Sequence, residues 1–555
     1  MTSGSRGRTV IKRFLVPTAA FTAVFCVLTT FATTAATADD AVPSASASPE
    51  ATSDPTAPAG PSVTQAPEQP EGFTAPPVDE ERMTTLAASD DPHQTPAGCP
   101  LGPDMARLDA PPPLLDAWFN TKDIAERGDW DPKDHRPWKF SQQFSQLLCY
   151  AAQGSTVKIG MYFLRATNGS NQTEINRPES DPEVVYAALE WLAKNRGVKV
   201  SVILDNTNTC AQAIENQSCS HIMTPSARAA VEKRFSTIPN SRIEYCVNGC
   251  FNQARYGIYP YAIEHEKFIA VSDTDFPGEG AGVHPLVISS STNIARSQIR
   301  NYHQEASSIY DDKTAFAEFD TRFDGMLSCA VDTCAMLGDP ASQTVGSGTP
   351  GNVSTNPLGL VQEKGRKIWV DPNLYRYTDG GRGTTITFSP QRDVPDSDVF
   401  IHQFDGVDCQ VDKKIRLAMF KLTDAKAQDM AKTLKALKGR GCDIQMLMTS
   451  QGGQTVISSA VQKELDKAKI PYKCTDVAMH TKMILIGPMT GNLGRVLHGT
   501  QNMSVAGQLY SEEHVITYDA RSATGSGRTA IQDVYGKYAA EWFELSRGAS
   551  KKHCG

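Results

Sequence analysis

The 555-residue chain is 40% apolar and 8% aromatic, the composition of a soluble globular protein with ample material for a large core or for two domains. Its formal charge is −8, from 54 basic and 62 acidic residues. Without the first 38 residues, which hold Arg6, Arg8, Lys12 and Arg13 and no acid, 50 basic groups face 62 acidic ones, a net −12. That balance argues against non-specific binding to a polyanion such as DNA, though not against a local basic cleft inside a negative shell.

In chain order, the basic start leads into a mostly apolar run from Phe14 to Phe31, and Ala36-Thr37-Ala38 forms a small-x-small cleavage pattern. This reads as a secretory signal peptide, residues 1–38, cleaved near Ala38. Pro17 and several threonines break the run and argue against a membrane anchor. The expected product is secreted and extracellular, without a transmembrane anchor. Residues 39–97 are dominated by Ala, Pro, Ser and Thr, a composition that cannot bury enough apolar surface to offset the entropy of ordering, and read as a disordered stalk. Of thirteen cysteines, Cys26 lies in the leader, and an even twelve in an exported chain point to disulfides. Cys210/Cys219, Cys246/Cys250 and Cys329/Cys334 are each close enough to close a local loop. A zinc site is disfavoured, because there is no Cys-x-x-Cys pair and no histidine spaced as its partner. No metal or other cofactor is expected.

From Cys99 onward the order of elements occurs twice. In residues 98–334, Ala117-Trp-Phe-Asn120 precedes Cys149 and a strand from Val157 to Leu164. A helix follows from Pro182 to Arg196, with Asp181 as N-cap and Gly197 as stop, and then a strand from Val198 to Leu204. A strand-helix-strand unit implies parallel neighbours and a right-handed crossover. In residues 383–555, Thr385-Ile-Thr-Phe388 precedes Cys409, a strand from Ile415 to Phe420, a helix from about Asp424 to Lys438, and the strand Asp443 to Met448. Between the copies, residues 335–382 read as a Gly/Pro/Ser/Thr-rich connection with one short element around Lys367-Ile-Trp-Val370.

Each copy then reaches a histidine and a lysine two residues apart: Tyr261-Ala-Ile-Glu-His265-Glu-Lys267-Phe-Ile-Ala-Val271, and Val477-Ala-Met-His480-Thr-Lys482-Met-Ile-Leu-Ile486. On a strand, positions i and i+2 share a face, so each pair projects together. A small-residue turn with an asparagine follows each, Ser290-Ser-Thr-Asn293 and Gly499-Thr-Gln-Asn502. Glu305 lies twelve residues after Asn293 and Glu513 eleven after Asn502, a drift of one. A single His-x-Lys in a chain with eleven histidines is a weak signal; two in equivalent places of a repeat, each with its Asn and Glu, point to one site. Histidine, with an ordinary pKa of about 6.5, serves as nucleophile when neutral and as acid when protonated. Lysines and asparagine amides suit the oxygens of a phosphoryl group in transfer, and a carboxylate that accepts a ring N–H fixes the histidine tautomer.

These motifs resemble those of the phospholipase D superfamily, whose members build one active site from two His-x-Lys-x4-Asp motifs, each followed by a Gly-Ser-x-Asn type turn and a glutamate. The resemblance covers Ala117 to Tyr518. It implies an α/β fold of two tandem pseudo-symmetric halves, each a mixed sheet flanked by helices, sharing one site at their interface. Ser272 and Gly487 stand where the motif aspartates are expected. By resemblance, His265 is the nucleophile that forms a phosphohistidine and His480 the acid/base, with the reverse assignment allowed by the pseudo-twofold relation. Lys267, Lys482, Asn293 and Asn502 bind the phosphoryl oxygens, and Glu305 and Glu513 orient the histidines. The expected activity is that of a metal-independent phosphodiesterase, a monomer acting by hydrolysis or transfer to an alcohol on phospholipid-like phosphodiesters at a membrane or micelle surface. A secreted endonuclease of the same fold, disfavoured by the charge, and a catalytically degenerate binding protein are the alternatives. The aromatic segment Arg255-Tyr256-Gly-Ile-Tyr259-Pro-Tyr261 reads as a packed, disulfide-pinned loop rather than a substrate lip. Asn168, Asn171, Asn216 and Asn352 lie in glycosylation sequons.

Overall fold

The computed structural model describes residues 98–101, 105–122, 139–164, 181–206, 225–246, 249–251, 263–295, 298–299, 302–330, 359–363, 366–370, 377–378, 382–389, 399–420, 422, 424–450, 456–489, 494–509 and 511–554. The leader, the stalk, the segment Arg255 to Tyr261, Cys210, Cys219, Cys334 and the four sequons lie outside the described residues.

The repeat seen in the sequence is a repeat of sheets. In the first half, edge strand β1 (Leu115–Phe119) is followed by α1 (Lys139–Leu148), β2 (Thr156–Met161), α2 (Asp181–Arg196), β3 (Lys199–Asp205), α3 (Pro225–Phe235) and β4 (Ser241–Cys246). After these come β5 (Lys267–Val271), β6 (Leu286–Ser290), β7 (Glu305–Tyr310) and the long helix α4 (Lys313–Ala330). The seven strands lie in the order β1-β7-β6-β5-β2-β3-β4. β2, β3 and β4 run parallel, and the other neighbours pair antiparallel. The expected strand from Val157 to Leu164 ends three residues early, at Met161.

The connection holds more than the single element expected. A hairpin of β8 (Gly359–Glu363) and β9 (Arg366–Val370) forms its own sheet, and β10 (Tyr377–Thr378) pairs with the edge of the second large sheet. That sheet is built from β11 (Thr384–Ser389), β12 (Lys414–Met419), β13 (Asp443–Met448), β14 (Tyr472–Cys474), β15 (Met483–Ile486), β16 (Arg495–Gly499) and β17 (Glu513–Asp519). Beyond β10, its order β11-β17-β16-β15-β12-β13-β14 reproduces the first sheet strand for strand. Its helices are α5 (Val399–His402), α6 (Ala425–Gly439), α7 (Ser459–Lys467), α8 (Val505–Leu509) and α9 (Gly525–Arg547). Asp424 caps α6, accepting from the amides of Lys426 and Ala427; this is the capping that an acidic residue just before a helix supplies.

The core explains why the halves do not separate. One apolar cluster packs on the outer side of the first sheet around Phe144, Tyr150 and Leu189, and another on the outer side of the second around Leu417, Leu434 and Ile444. Between the sheets a third cluster mixes Phe268, Phe319, Phe323 and Met326 with Phe388, Tyr518, Tyr538 and Trp542. Each half's last helix reaches the other half's edge strand. On α4, Phe319 meets Phe388 of β11 edge-on at 5.3 Å, and Arg322 donates to the Ser389 carbonyl. On α9, Tyr538 meets Phe119 of β1 edge-on at 5.0 Å, and Glu541 accepts from the Thr121 hydroxyl. Four disulfides tie described segments: Cys99–Cys149, Cys246–Cys250, Cys409–Cys442 and Cys474–Cys554. Cys246–Cys250 is one of the three close pairs. No described helix is long and apolar enough to cross a membrane.

Candidate active site

β5 begins at Lys267 and β15 at Met483, so both histidines stand just before their strands rather than on them. What holds them is a crossing of the two halves. Glu264 forms a parallel bridge with Glu512, and Met479 forms one with His303. The His265 amide donates to the Glu512 carbonyl at 2.9 Å, and the His480 amide to the His303 carbonyl at 2.8 Å. Each histidine is thereby strapped to the segment leading into the glutamate-bearing strand of the opposite half.

The crossings bring His265 and His480 together, their ring centroids 6.3 Å apart and their planes at 67°. Both histidines are buried, each about 6% exposed. Lys267 and Lys482 fold back to donate to the carbonyls of their own histidines, at 2.8 and 2.9 Å. The Lys482 amine also lies 3.3 Å from His480 Nδ1. Glu513 crosses from the second half to place Oε1 3.2 Å from His265 Nδ1, at ion-pair distance but without hydrogen-bond alignment. Such contacts tighten when substrate fills a site. Glu305 does not mirror this. Its Oε1 accepts from the Lys482 amide at 3.2 Å, and His480 Nδ1 instead lies 2.7 Å from the Ser291 carbonyl, placed to donate to it.

The asparagines differ too. The Asn293 side chain accepts from the Phe163 amide at 3.2 Å and donates to Gln298 at 3.0 Å. Asn502 Oδ1 makes no hydrogen bond, while its amide donates to Glu513 Oε2 at 2.7 Å. At the two positions that lack the motif aspartate, the Ser272 hydroxyl accepts from the Thr156 amide at 2.9 Å, tying β5 to β2. Gly487 has φ +135°, where a side chain is strained. In the second turn, Gly499 has φ +146°, and a Cβ there would lie 2.4 Å from the His514 carbonyl. Asp273, one place after Ser272, accepts from the amides of Thr274 and His284 and serves a turn.

Burial governs the electrostatics. It pushes the His265 ring well below its ordinary pKa, helped by the charges of Lys267, Lys482 and His480. It brings Lys267 down to about 7, with Lys482 adding repulsion, and Lys482 down to about 8. It raises Glu305 to about 8 and holds Glu513 well above the usual carboxylate range. A dry cluster of like and unlike charges relaxes toward neutrality until an anion arrives to favour the ammonium forms. A neutral His265 with two convertible lysines beside it can attack an electrophile whose oxygens carry negative charge. Among the described residues, no group of three or more His, Cys, Asp or Glu is placed to hold a metal ion.

Two aromatic residues missing from the sequence reading belong to the site. Tyr162 packs on His265 at 5.0 Å and Phe420 on His480 at 4.8 Å. The Lys267 amine lies 5.5 Å from the centre of the first ring and that of Lys482 5.6 Å from the second. Each sits one residue past its strand, after Met161 and Met419, so the repeat itself held the signal.

Residues 151–327 and 409–532, together more than half of the chain, match the family model described as "Cardiolipin synthase, PLD-like domain". No curated protein matches the sequence. Among solved structures, the chain is similar to polyphosphate kinase from Porphyromonas gingivalis at 12% identity and TM-score 0.37, over 68% of this chain and 42% of that one. It thus spans less than half of that kinase. It is similar to phosphatidylserine synthase of Haemophilus influenzae Rd KW20 at 10% identity and TM-score 0.43, over 75% and 85% of the two chains. Yeast tyrosyl-DNA phosphodiesterase aligns at 9% identity and TM-score 0.35, over 69% and 86%. At these TM-scores the likenesses carry no inference about function.

Proposed function

Because the chain belongs to the phospholipase D-like family, we propose that it is a secreted phosphodiesterase that acts through a phosphohistidine, without a metal, on phospholipid-like substrates. The observation that supports this most is the pair of buried histidines from opposite halves, 6.3 Å apart, each beside a lysine. In this reading, neutral His265 attacks phosphorus and a P–N bond forms as the P–O bond to the leaving alcohol breaks. Protonated His480 delivers its proton to that alcohol. His480, now neutral, takes a proton from water or an acceptor alcohol, whose oxygen attacks phosphorus, and the P–N bond breaks to release His265. Lys267, Lys482, Asn293 and Asn502 hold the non-bridging oxygens. Glu513 supports the imidazolium character that His265 gains on attack. Glu305 acts through the Lys482 backbone. His265 rather than His480 is taken as nucleophile because the Glu513 carboxyl lies 3.2 Å from its Nδ1, whereas Glu305 reaches the Lys482 backbone instead of the His480 ring.

The test is to incubate the protein, in EDTA, with phosphatidylcholine and ethanol and, separately, with single-stranded DNA. Phosphatidylethanol or phosphatidic acid is the expected product. Nicked DNA in the second mixture would replace the lipid reading with a nuclease. His265→Ala and His480→Ala are each expected to lower turnover by roughly 10³-fold or more with an unchanged circular dichroism spectrum. Wild-type rates in either variant would remove that histidine from the mechanism.

A further inference from the structure

Behind the His265 crossing lies a buried hydrogen-bonded chain that the mechanism does not use. Glu266, the residue between His265 and Lys267, turns away from the site, and its Oε2 accepts from His514 Nδ1. His514 Nε2 lies 2.6 Å from the Ser289 hydroxyl. The other Glu266 oxygen is 3.4 Å from Arg322 Nε, and Arg322 donates onward to the Ser389 carbonyl. The ring of His514 is caged edge-on by Phe319 at 5.1 Å, with Phe268 and Phe388 each at 6.3 Å. Ser, His and Glu in this order resemble a hydrolytic triad, but all three are at most 1% exposed. No substrate can reach them.

Their place in the crossing shows another use. Glu264 bridges Glu512 through the backbone, the next two residues, His265 and Glu513, meet in the site, and the next two, Glu266 and His514, meet behind it. Because successive side chains of extended segments point to opposite faces, the rear contact fixes the register and spacing of the front one. The second crossing is wired differently. By the register of the two crossings, Glu266, His514 and Ser289 correspond to Thr481, Glu305 and His498. There Thr481 donates to the His303 carbonyl, Glu305 accepts from the Lys482 amide, and the His498 ring meets the Ser307 hydroxyl, so the three do not join into one chain.

We propose that Ser289, His514 and Glu266, backed by Arg322, form a positioning clamp that holds Glu513 beside His265 and so sets the tautomer and orientation of that ring through a carboxylate. The consequence for the reaction rests on the phosphodiesterase reading; the clamp itself does not. These are positioning residues, since none touches the reacting groups.

The test uses the full chain with ring-15N histidine and the variants His514→Phe, which keeps a ring inside the phenylalanine cage, and Ser289→Ala, which removes only the far end of the chain. In the wild type the His265 signals should show a single tautomer protonated at Nδ1. In both variants the tautomer ratio or titration midpoint of His265 should move, more in His514→Phe, while the His480 signals stay within error. On the active substrate, kcat should fall roughly 10- to 100-fold in His514→Phe, the range found for outer partners that orient a metal-bound imidazole, with KM near the wild-type value. If His265 keeps its tautomer and midpoint in folded variants that have merely lost thermal stability, or if His480 shifts equally, the clamp is refuted. Should His514→Phe not fold, Ser289→Ala decides alone by the same signals. A protein that turned over no phosphodiester would still show or lack the His265 shift, so failure of the functional reading and failure of the clamp are separable.

Discussion

Lys267 and Lys482 are long cations held with almost no exposure, and burial brings their pKa values down to about 7 and 8. An anion that needs both charged must bring protons with it whenever the pH lies above those values. Affinity for a non-titrating phosphodiester such as dibutyl phosphate should therefore weaken as pH rises from about 7 to 9, by up to roughly tenfold per unit for each proton taken up. Calorimetry in buffers of different ionisation heat measures the uptake directly; a flat affinity with no proton exchange would mean that the lysines are already charged. At Gly487 the expectation runs against the family motif. Restoring the aspartate as Gly487→Asp puts a side chain at φ +135°, and it should lower stability by about 1–3 kcal/mol in denaturant melts rather than raise it.

At the scale of elements, what could be read from the chain was what is local. Strand and helix periods and the His-x-Lys repeat each depend on neighbours in sequence, and the helix expected from about Asp424 to Lys438 is found as Ala425–Gly439, with Asp424 as its cap rather than its first residue. The one-residue drift between Asn293–Glu305 and Asn502–Glu513 was legible as arithmetic, but its meaning was not. Glu513 directly follows the residue bridged at its crossing and faces His265, whereas Gln304 separates Glu305 from His303, and Glu305 reaches the Lys482 backbone instead. The chain from Ser289 to Arg322 was invisible for a related reason. Glu266 and His514 lie 248 residues apart, and nothing in the composition of either segment names the other. Asp424 also receives the Val505 amide at 2.6 Å while capping α6, so it joins two helices. Asp424→Ala should cost at least the ~1 kcal/mol of an ordinary cap, read as a lowered urea midpoint at unchanged slope.

The whole molecule is held by exchange between its halves, through the central cluster, the reciprocal helices α4 and α9, and the crossings themselves. At its end, the disulfide Cys474–Cys554 closes a separation of 80 residues and pins the C-terminal turn Lys551–Cys554 to β14. Replacing both cysteines by serine should lower stability by about 2–4 kcal/mol, since an open loop of that length gives the unfolded chain more freedom. Reversible chemical unfolding of the double variant beside the wild type measures the loss.

The strapping of each histidine to the opposite half also bears on how such a chain can be recombined. A chimera joined in the connection between β7 and β11 keeps both sheets whole, yet it swaps in a foreign partner for Glu264, His265 and Glu266 at once. In a library of half-exchanged family members, function should survive where residues 512–514 travel with residues 264–266, and inactive chimeras should be rescued by grafting that one tripeptide from the parent of the first half. The two halves are joined as reading frames at their connection, but as an inheritance unit they are joined at the crossing.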